Sequence, residues 1–238
     1  MSLSETYALG PPQVILKGLG AANHHDGGRI AFGPDGMLYA TVGDAGNTSH
    51  SQDLTSLNGK ILRMTPTGDV PKNNPFPGSL VWSYGHRNPQ GLAWDSHGQL
   101  YAAEFGQDTW DEFNKITAGS NYGWPIVEGI AHDSRFVDPL VQWHTDDASP
   151  SGLSYVDGTF FLAGLGGKRL WVINVDAAGA ASAAALYVGT YGRLRDVAAG
   201  PGSASAPTLW ILTDNTDGRG SPKTGDDRIL QVTLVPTR

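Results

Sequence analysis

The chain contains no cysteine, so neither a disulfide framework nor a thiolate metal site can form. Positive charge is scarce, since 16 Lys and Arg stand against 23 Asp and Glu for a net charge of −7. A chain this acidic lacks the basic stripe that a nucleic-acid backbone requires. No apolar run approaches the length of a bilayer-spanning helix. We therefore expect no nucleic-acid partner and no membrane span. The negative charge suits a neutral or cationic ligand or a divalent cation, and solubility explains it equally well.

The composition that remains favours an all-β protein. Of 238 residues, 39% are hydrophobic and 16% charged, which is enough apolar material for a core and too little charge for disorder. The 32 glycines and 15 prolines suit many short strands joined by tight turns. We predict a single domain over residues 1–238. The opening residues Met1–Glu5 are polar and show no signal peptide. An exported protein whose leader has been removed would look the same.

A strand–turn–strand phrase recurs four times along the chain. Each copy pairs two alternating strands across an Asp-Gly or Pro-Gly turn. The copies lie in residues 29–44, 91–104, 152–163 and 195–214. A third strand is predicted after each pair, in residues 60–64, 112–116, 169–173 and 228–232. A fourth is predicted before each pair, in residues 13–16, 80–84, 140–143 and 186–188.

Four strands per repeat predict a β-propeller of four-stranded antiparallel blades, with four blades recognisable. A β-sandwich is the rival all-β architecture, but it gives no reason for the same phrase to return. We expect the strand at residues 13–16 to complete the last blade and so remove the exposed edge of an open ring.

The most informative segment is the loop Gly85–Gly91, which holds a His, an Arg, an Asn and a Gln. An acidic loop, residues 104–114, follows it. Together with residues 23–29 and 191–196, these loops adjoin predicted inner strands and are expected to meet near the propeller axis. Polar side chains that converge at strand ends usually form a site.

The ordered motifs resemble those of the soluble quinoprotein sugar dehydrogenases. They include His-x-x-Gly-Arg, Phe-Gly-Pro-Asp-Gly, Gly-Lys-Ile-Leu-Arg, Gly-His-Arg-Asn-Pro-Gln-Gly, Asp-Glu-x-Asn, Asn-Tyr-Gly-Trp-Pro and Arg-x-Arg-Asp-Val. The resemblance implies oxidation of the anomeric hydroxyl of an aldose to a lactone, with pyrroloquinoline quinone and Ca²⁺ as cofactors. It also implies an external electron acceptor and a periplasmic or secreted location. The family ring has six blades, so we expect this chain to be a fragment or a member shortened on its N-terminal side.

The resemblance also assigns roles to individual residues. His25 matches the catalytic base, which suits an imidazole titrating near neutrality. Arg87 and Asn88 match residues that bind the cofactor and stabilise its reduced oxygens, and a guanidinium suits a developing oxyanion. Arg193 and Arg195 match a pair that holds the cofactor's acid groups. Gln90 is a weaker candidate for cofactor binding.

The resemblance places calcium on two successive backbone carbonyls, those of Gly106 and Gln107. Calcium accepts backbone oxygens readily. Asp111 and Glu112 lie in the same loop, where they either assist the metal, hold a separate structural ion, or form a turn with solvated carboxylates.

Two positions depart from the family pattern. Phe105 replaces a polar residue, and Gly166 stands where a basic residue is common, with Lys168 two positions later. These departures leave a second interpretation, a non-catalytic calcium-stabilised propeller that binds carbohydrate or protein. A third, a calcium-dependent propeller lactonase, needs several carboxylates and amides at the axis, whereas His and Arg predominate there.

Overall fold

The protein, seen in a computed structural model, is almost entirely β-structure. The structure describes residues 11–203 and 206–235, so the polar start Met1–Glu5 lies outside the described residues. The helix α1 covers Ser49–Gln52, and in the described part of the chain no helix is long or apolar enough to cross a bilayer. The strands are β1 (Ile30–Phe32), β2 (Leu38–Val42), β3 (Lys60–Met64), β4 (Val81–Tyr84), β5 (Pro89–Trp94), β6 (Leu100–Glu104), β7 (Trp110–Ile116), β8 (Val141–His144), β9 (Pro150–Val156), β10 (Thr159–Gly164), β11 (Arg169–Val175), β12 (Ala181–Leu186), β13 (Leu194–Ser203), β14 (Ala206–Thr213) and β15 (Ile229–Thr233).

The strands form four antiparallel sheets, and each sheet keeps the order of the chain. Strands β1–β4, β5–β8 and β9–β12 make four-stranded sheets, and β13–β15 make a three-stranded sheet among the described residues. Each of the four begins with the recurring strand–turn–strand phrase. The predicted all-β propeller architecture is confirmed, because each sheet is an antiparallel meander of strands in chain order and successive sheets pack against each other as blades.

The predicted place of the fourth, outer strand is wrong, because in each four-stranded sheet this strand follows the other three in the chain and does not precede them. Strand β4 pairs with β3 of the first sheet, with Lys60 opposite Tyr84, and not with the sheet that follows it. Strand β8 pairs likewise with β7, and the last outer strand covers Ala181–Leu186 in place of residues 186–188. Alternation along a strand does not reveal which neighbour it bonds to, because both candidate sheets are one loop away.

The expectation that residues 13–16 complete the last blade is also wrong. These residues form no strand. Leu16 packs instead against the apolar cluster of the first sheet. The backbone carbonyl of Ile15 approaches Gly68 so closely that a Cβ at that position would collide with its oxygen. The segment is therefore held by the first blade, and a side chain at residue 68 would displace it.

Apolar side chains fill the three layers between successive sheets. Tyr39 and Ile61 of the first sheet pack with Leu92 and Leu100 of the second. Two further clusters follow the same rule, with Phe113 and Phe160 central to one, and Leu170, Leu194 and Ile211 to the other. Each large apolar side chain removed from water contributes about 1.5–3 kcal/mol. On the outward faces of the first and fourth sheets, by contrast, some large apolar side chains remain exposed. Phe32 is 62% exposed and Ile229 is 73% exposed.

An ion pair near the axis links the first sheet to the fourth. Arg29, which precedes β1, donates from Nη1 to Asp196 Oδ2 of β13 at 2.9 Å. Its Nε donates to the carbonyl of Gln90 on β5 at 3.1 Å. One guanidinium thus joins the first, second and fourth sheets at the axis. The loops beside β1, β5 and β13 are therefore held close together at one end of the axis.

Candidate active site

A cavity of about 920 Å³ opens where the axial loops meet. Its lining includes seven of the residues predicted from the sequence: His25, Arg87, Asn88, Gln90, Gln107, Arg193 and Arg195. They come from the first ends of β5 and β13 and from loops of the first, second and fourth sheets, so the polar segments predicted to converge do line one cavity. Gly106, Asp111 and Glu112 are not among the lining residues.

His25 is fixed by a buried carboxylate. Its Nδ1 lies 3.0 Å from Asp44 Oδ1, and Asp44 is fully buried. Asp44 also accepts hydrogen bonds from the backbone N–H of Gly46 at 2.8 Å and from Trp124 Nε1 at 2.9 Å. A carboxylate that accepts from Nδ1 places the imidazole proton there and leaves the Nε2 lone pair free.

The surroundings keep His25 neutral at lower pH than usual. Burial lowers the pKa of His25, and the charge of Arg87 lowers it further. The hydrogen bond and charge of Asp44 oppose both effects. An unprotonated imidazole that faces a cavity is equipped to accept a proton. The backbone of His25 is left-handed, with φ of 60°, which allows its carbonyl to meet the neighbouring Gly43 closely.

Arg87 is held rigidly at the cavity wall. Its Nε and Nη2 both donate to Gln107 Oε1, at 2.9 and 2.6 Å, and its Nη1 donates to the carbonyl of Phe105 at 3.3 Å. The guanidinium carbon lies 5.5 Å from the ring centroid of Trp124. Since Gln107 is neutral, none of these contacts cancels the charge of Arg87. The arrangement presents a fixed cation to a ligand.

A buried carboxylate beneath the cavity holds the loop that carries Arg87. Glu104, at the end of β6, accepts hydrogen bonds from the backbone N–H of Arg87 and, at 3.3 Å, from that of Asn88. His86 Nδ1 lies 2.8 Å from its other oxygen, and the His86 ring stacks on Tyr122 at 4.7 Å. His86 is fully buried. It therefore supports the loop from below and does not face the cavity.

We expect Glu104→Ala to lower the free energy of unfolding by about 3–5 kcal/mol, because it leaves buried donors of three residues without an acceptor. Denaturant unfolding followed by tryptophan fluorescence measures this. Asp133→Ala is the matched control, since that carboxylate pairs with Arg135 at the surface. Equal stability of the two variants would contradict a supporting role for Glu104.

Asn88 and Gln90 serve each other and the backbone. Asn88 Oδ1 accepts from the N–H of Gly27 at 3.1 Å and from Gln90 Nε2 at 3.2 Å. This leaves the amide nitrogen of Asn88 without a partner among the described residues. Its two donors remain available to a ligand in the cavity.

The fourth sheet contributes arginines of two kinds. Arg193 donates from Nε and Nη2 to Asp217 Oδ2, at 3.1 and 2.8 Å, so its charge is already paired. Arg195 lines the cavity, as does Arg219 from the loop after β14. In residues 11–203 and 206–235 no hydrogen bond or ion pair reaches the guanidinium of either. The Asp217 carboxylate also accepts from the backbone N–H of Arg219 and so fixes its loop.

The loop proposed for calcium is shaped by a second carboxylate. Glu128 Oε1 lies 2.7–3.2 Å from the backbone N–H groups of four successive residues, Gln107, Asp108, Thr109 and Trp110. In the described part of the chain no hydrogen bond is directed to the carbonyl oxygens of Gly106 and Gln107. The nest formed by the N–H groups is filled, whereas the two carbonyls are free for a hard cation.

Asp111 and Glu112 do not meet at one site. They are adjacent on β7, so their side chains point to opposite faces of the sheet. Asp111 accepts from the N–H groups of Gly106 and Ser149, at 2.9 and 2.6 Å, and burial raises its pKa to about 7. Glu112 is held by Asn114 and the N–H of Gly129, and burial raises its pKa. No cluster of three or more His, Asp or Glu suited to a metal occurs in the described residues. The geometry gives both carboxylates partners within the protein.

Sequence reasoning assigned no individual role to Asp44, Trp124 or Glu104. A signal for the two acids was present. In the first two repeats an acidic residue closes the Leu-Tyr-Ala strand, as Asp44 two residues past β2 and Glu104 at the end of β6. Such a residue lies at the axial end of its strand, where backbone donors need acceptors.

The fold and the cavity define a β-propeller protein with a carboxylate-backed histidine and several arginines at its axis. The profile of the Glucose / Sorbosone dehydrogenase family matches residues 3–225. The chain belongs to this family.

Solved and curated proteins agree with that assignment. A PQQ-bound aldose sugar dehydrogenase from Streptomyces coelicolor superposes with a TM-score of 0.89 at 56% identity, over 93% of this chain and 66% of that one. Aldose sugar dehydrogenase YliI of Escherichia coli is 29% identical over 225 residues, 83% of this chain and 59% of the relative. Quinoprotein glucose dehydrogenase B of Acinetobacter calcoaceticus is 39% identical over 153 residues, 55% of this chain and 32% of the relative. The chain thus spans about a third to three fifths of these two curated relatives.

Proposed function

We propose that the chain is a quinoprotein dehydrogenase that oxidises the anomeric hydroxyl of an aldose to a lactone, with pyrroloquinoline quinone and Ca²⁺. The observation that carries the proposal is that the His25–Asp44 pair and the fixed guanidinium of Arg87 line the same cavity. One ligand in this cavity can therefore reach both a base that accepts a hydroxyl proton and a cation that stabilises developing negative charge.

The residues fit both cofactors. Four arginines and two aspartates line the cavity, namely Arg87, Arg193, Arg195, Arg219, Asp44 and Asp217, so the wall is cationic and suits a tricarboxylate such as this quinone. The free carbonyls of Gly106 and Gln107 fit calcium. When bound, the quinone supplies a hydride acceptor and calcium a Lewis acid that polarises it.

The chain's own residues handle the proton. The Nε2 lone pair of His25 accepts the proton of the anomeric hydroxyl as the carbon loses hydride, which leaves the C=O bond of the lactone. Asp44 faces Nδ1 at 3.0 Å and stabilises the imidazolium that forms. Arg87, held by Gln107, would present a fixed cation to the bound quinone and stabilise the negative charge that develops on it.

Reconstitution tests the proposal. Purified protein is incubated with the quinone and Ca²⁺, and dye reduction is followed with glucose, in parallel with a calorimetric titration of the quinone. Calcium-dependent binding and sugar-dependent reduction are expected, and a chelator should abolish both. Absence of quinone binding would overturn the proposal and favour the carbohydrate- or protein-binding module.

The pH profile tests the base. Since the pKa of His25 is lowered from 6.5, kcat/KM should fall to half only below that pH. Asp44 raises the pKa of His25, so Asp44→Asn should move this limb to still lower pH and lower the plateau, because the imidazolium loses its counter-charge. Asp133→Asn is the surface control. A limb that stays in place or moves upward in Asp44→Asn would contradict the assignment.

A further inference from the structure

Two positions that the family resemblance assigns to cofactor contacts, Gly166 and Arg193, supply no unpaired cation to the cavity. From the third sheet, Leu165 lines it, and Lys168 lies instead in a separate cleft of about 150 Å³. Lys168 therefore does not replace the basic residue that is missing at Gly166. Arg193 is present at the wall, but Asp217 already neutralises it.

Arg219 has the opposite character. It lines the cavity from the loop between β14 and β15, and its guanidinium has no partner among the described residues. Its backbone is nonetheless fixed, because Asp217 Oδ1 accepts from the N–H groups of Arg219 and Gly220 at 2.8 and 3.1 Å. An unpaired cation on an anchored backbone is suited to binding an anion.

The anchoring extends to the whole turn. Asn215 accepts from the N–H of Arg193 at 2.9 Å and donates to the carbonyl of Tyr191 at 2.9 Å. Asp227 accepts from the N–H groups of Asn215 and Thr216. The loop that bears Arg219 is thus tied to the segment that bears Arg193 and leads into β13, the strand that bears Arg195. This preorganisation reduces the entropy lost when the loop binds a ligand.

We propose that Arg219, together with Arg195, binds carboxylates of the anionic cofactor, and that Arg193 with Asp217 holds the Arg219 loop in position. The inference rests on the proposed function. It gives the cavity a carboxylate-binding arginine from the last loop, where the third sheet supplies only Leu165.

Titration of the quinone into the calcium-loaded full chain tests this, with affinity measured by calorimetry and no turnover required. Arg219→Gln should weaken binding about ten- to a hundredfold, the loss expected for one charge-assisted contact. Arg219→Lys keeps the charge but not the planar guanidinium, so its affinity for the quinone should lie between those of the wild type and Arg219→Gln. Arg135→Gln is the control, because it removes the same charge from a surface pair outside the cavity.

The outcomes separate the two proposals. If the wild-type chain binds no quinone, the proposed function fails. If the wild type binds and Arg219→Gln binds equally well with an unchanged melting temperature, Arg219 has no such role and the inference is overturned while the function stands. A loss shared equally by Arg135→Gln would reflect net charge alone and overturns it too.

Discussion

His25→Asn is expected to reduce kcat with aldose roughly a thousandfold, within the range that general acid–base catalysis contributes. Asparagine tolerates the left-handed backbone at this position and can still donate to Asp44, so the fold and the pair are retained. Its amide cannot accept a proton near neutrality. Stopped-assay dye reduction at saturating cofactor measures the loss.

The affinity for the quinone should change little in His25→Asn, since no cation is removed. His97→Ala is the matched control, because that histidine lies in the exposed β5–β6 turn and should leave kcat unaltered. Wild-type turnover in His25→Asn would show that another group takes the proton, and the mechanism would have to be abandoned.

Arg87→Gln should reduce kcat by about two to three orders of magnitude, as the loss of one preorganised oxyanion-stabilising group does. Arg87 is buried, with 8% of the residue exposed, so water cannot replace its guanidinium with the same rigidity. Quinone affinity should also fall, so the assay is run at saturating cofactor and the dissociation constant is measured separately.

Gln107→Ala separates the charge of Arg87 from its positioning. It removes two of the three hydrogen bonds that hold the guanidinium but leaves the cation, so the loss of kcat should be smaller than in Arg87→Gln. Arg135→Gln serves again as the surface control. If Arg87→Gln retains kcat within threefold of the wild type, Arg87 does not stabilise developing charge.

The repeat made the fold predictable. Turn residues such as the Asp35-Gly36 and Asp157-Gly158 pairs mark hairpins by their own chemistry, since Gly36 and Gly158 have φ of 74° and 83°. Grouping the hairpins into sheets was not predictable. Strand β4 stands between two hairpins in sequence, and only its backbone hydrogen bonds to β3 decide its sheet.

The cavity-lining residues were foreseeable for a related reason. Loops that adjoin inner strands must meet at the axis, and this places His25, Arg87 and Arg193 together. Their pairing was not foreseeable, because Asp44 and Asp217 reach their partners across 19 and 24 residues of chain. Arg193 and Arg219 look alike in sequence and differ only in which one a carboxylate has already neutralised.

The Arg29–Asp196 pair has a consequence for how the protein folds. It joins residues 167 positions apart, whereas the strand neighbours within every sheet are close in sequence. Contacts of such long range form late, because the loop-closure entropy must be met first. We expect the sheets to form early as independent meanders and the axial pocket to be completed last. A cofactor that binds only the completed pocket should slow the opening of that pocket, which is the first step of unfolding. Binding of the cofactor should therefore lengthen the lifetime of the native state.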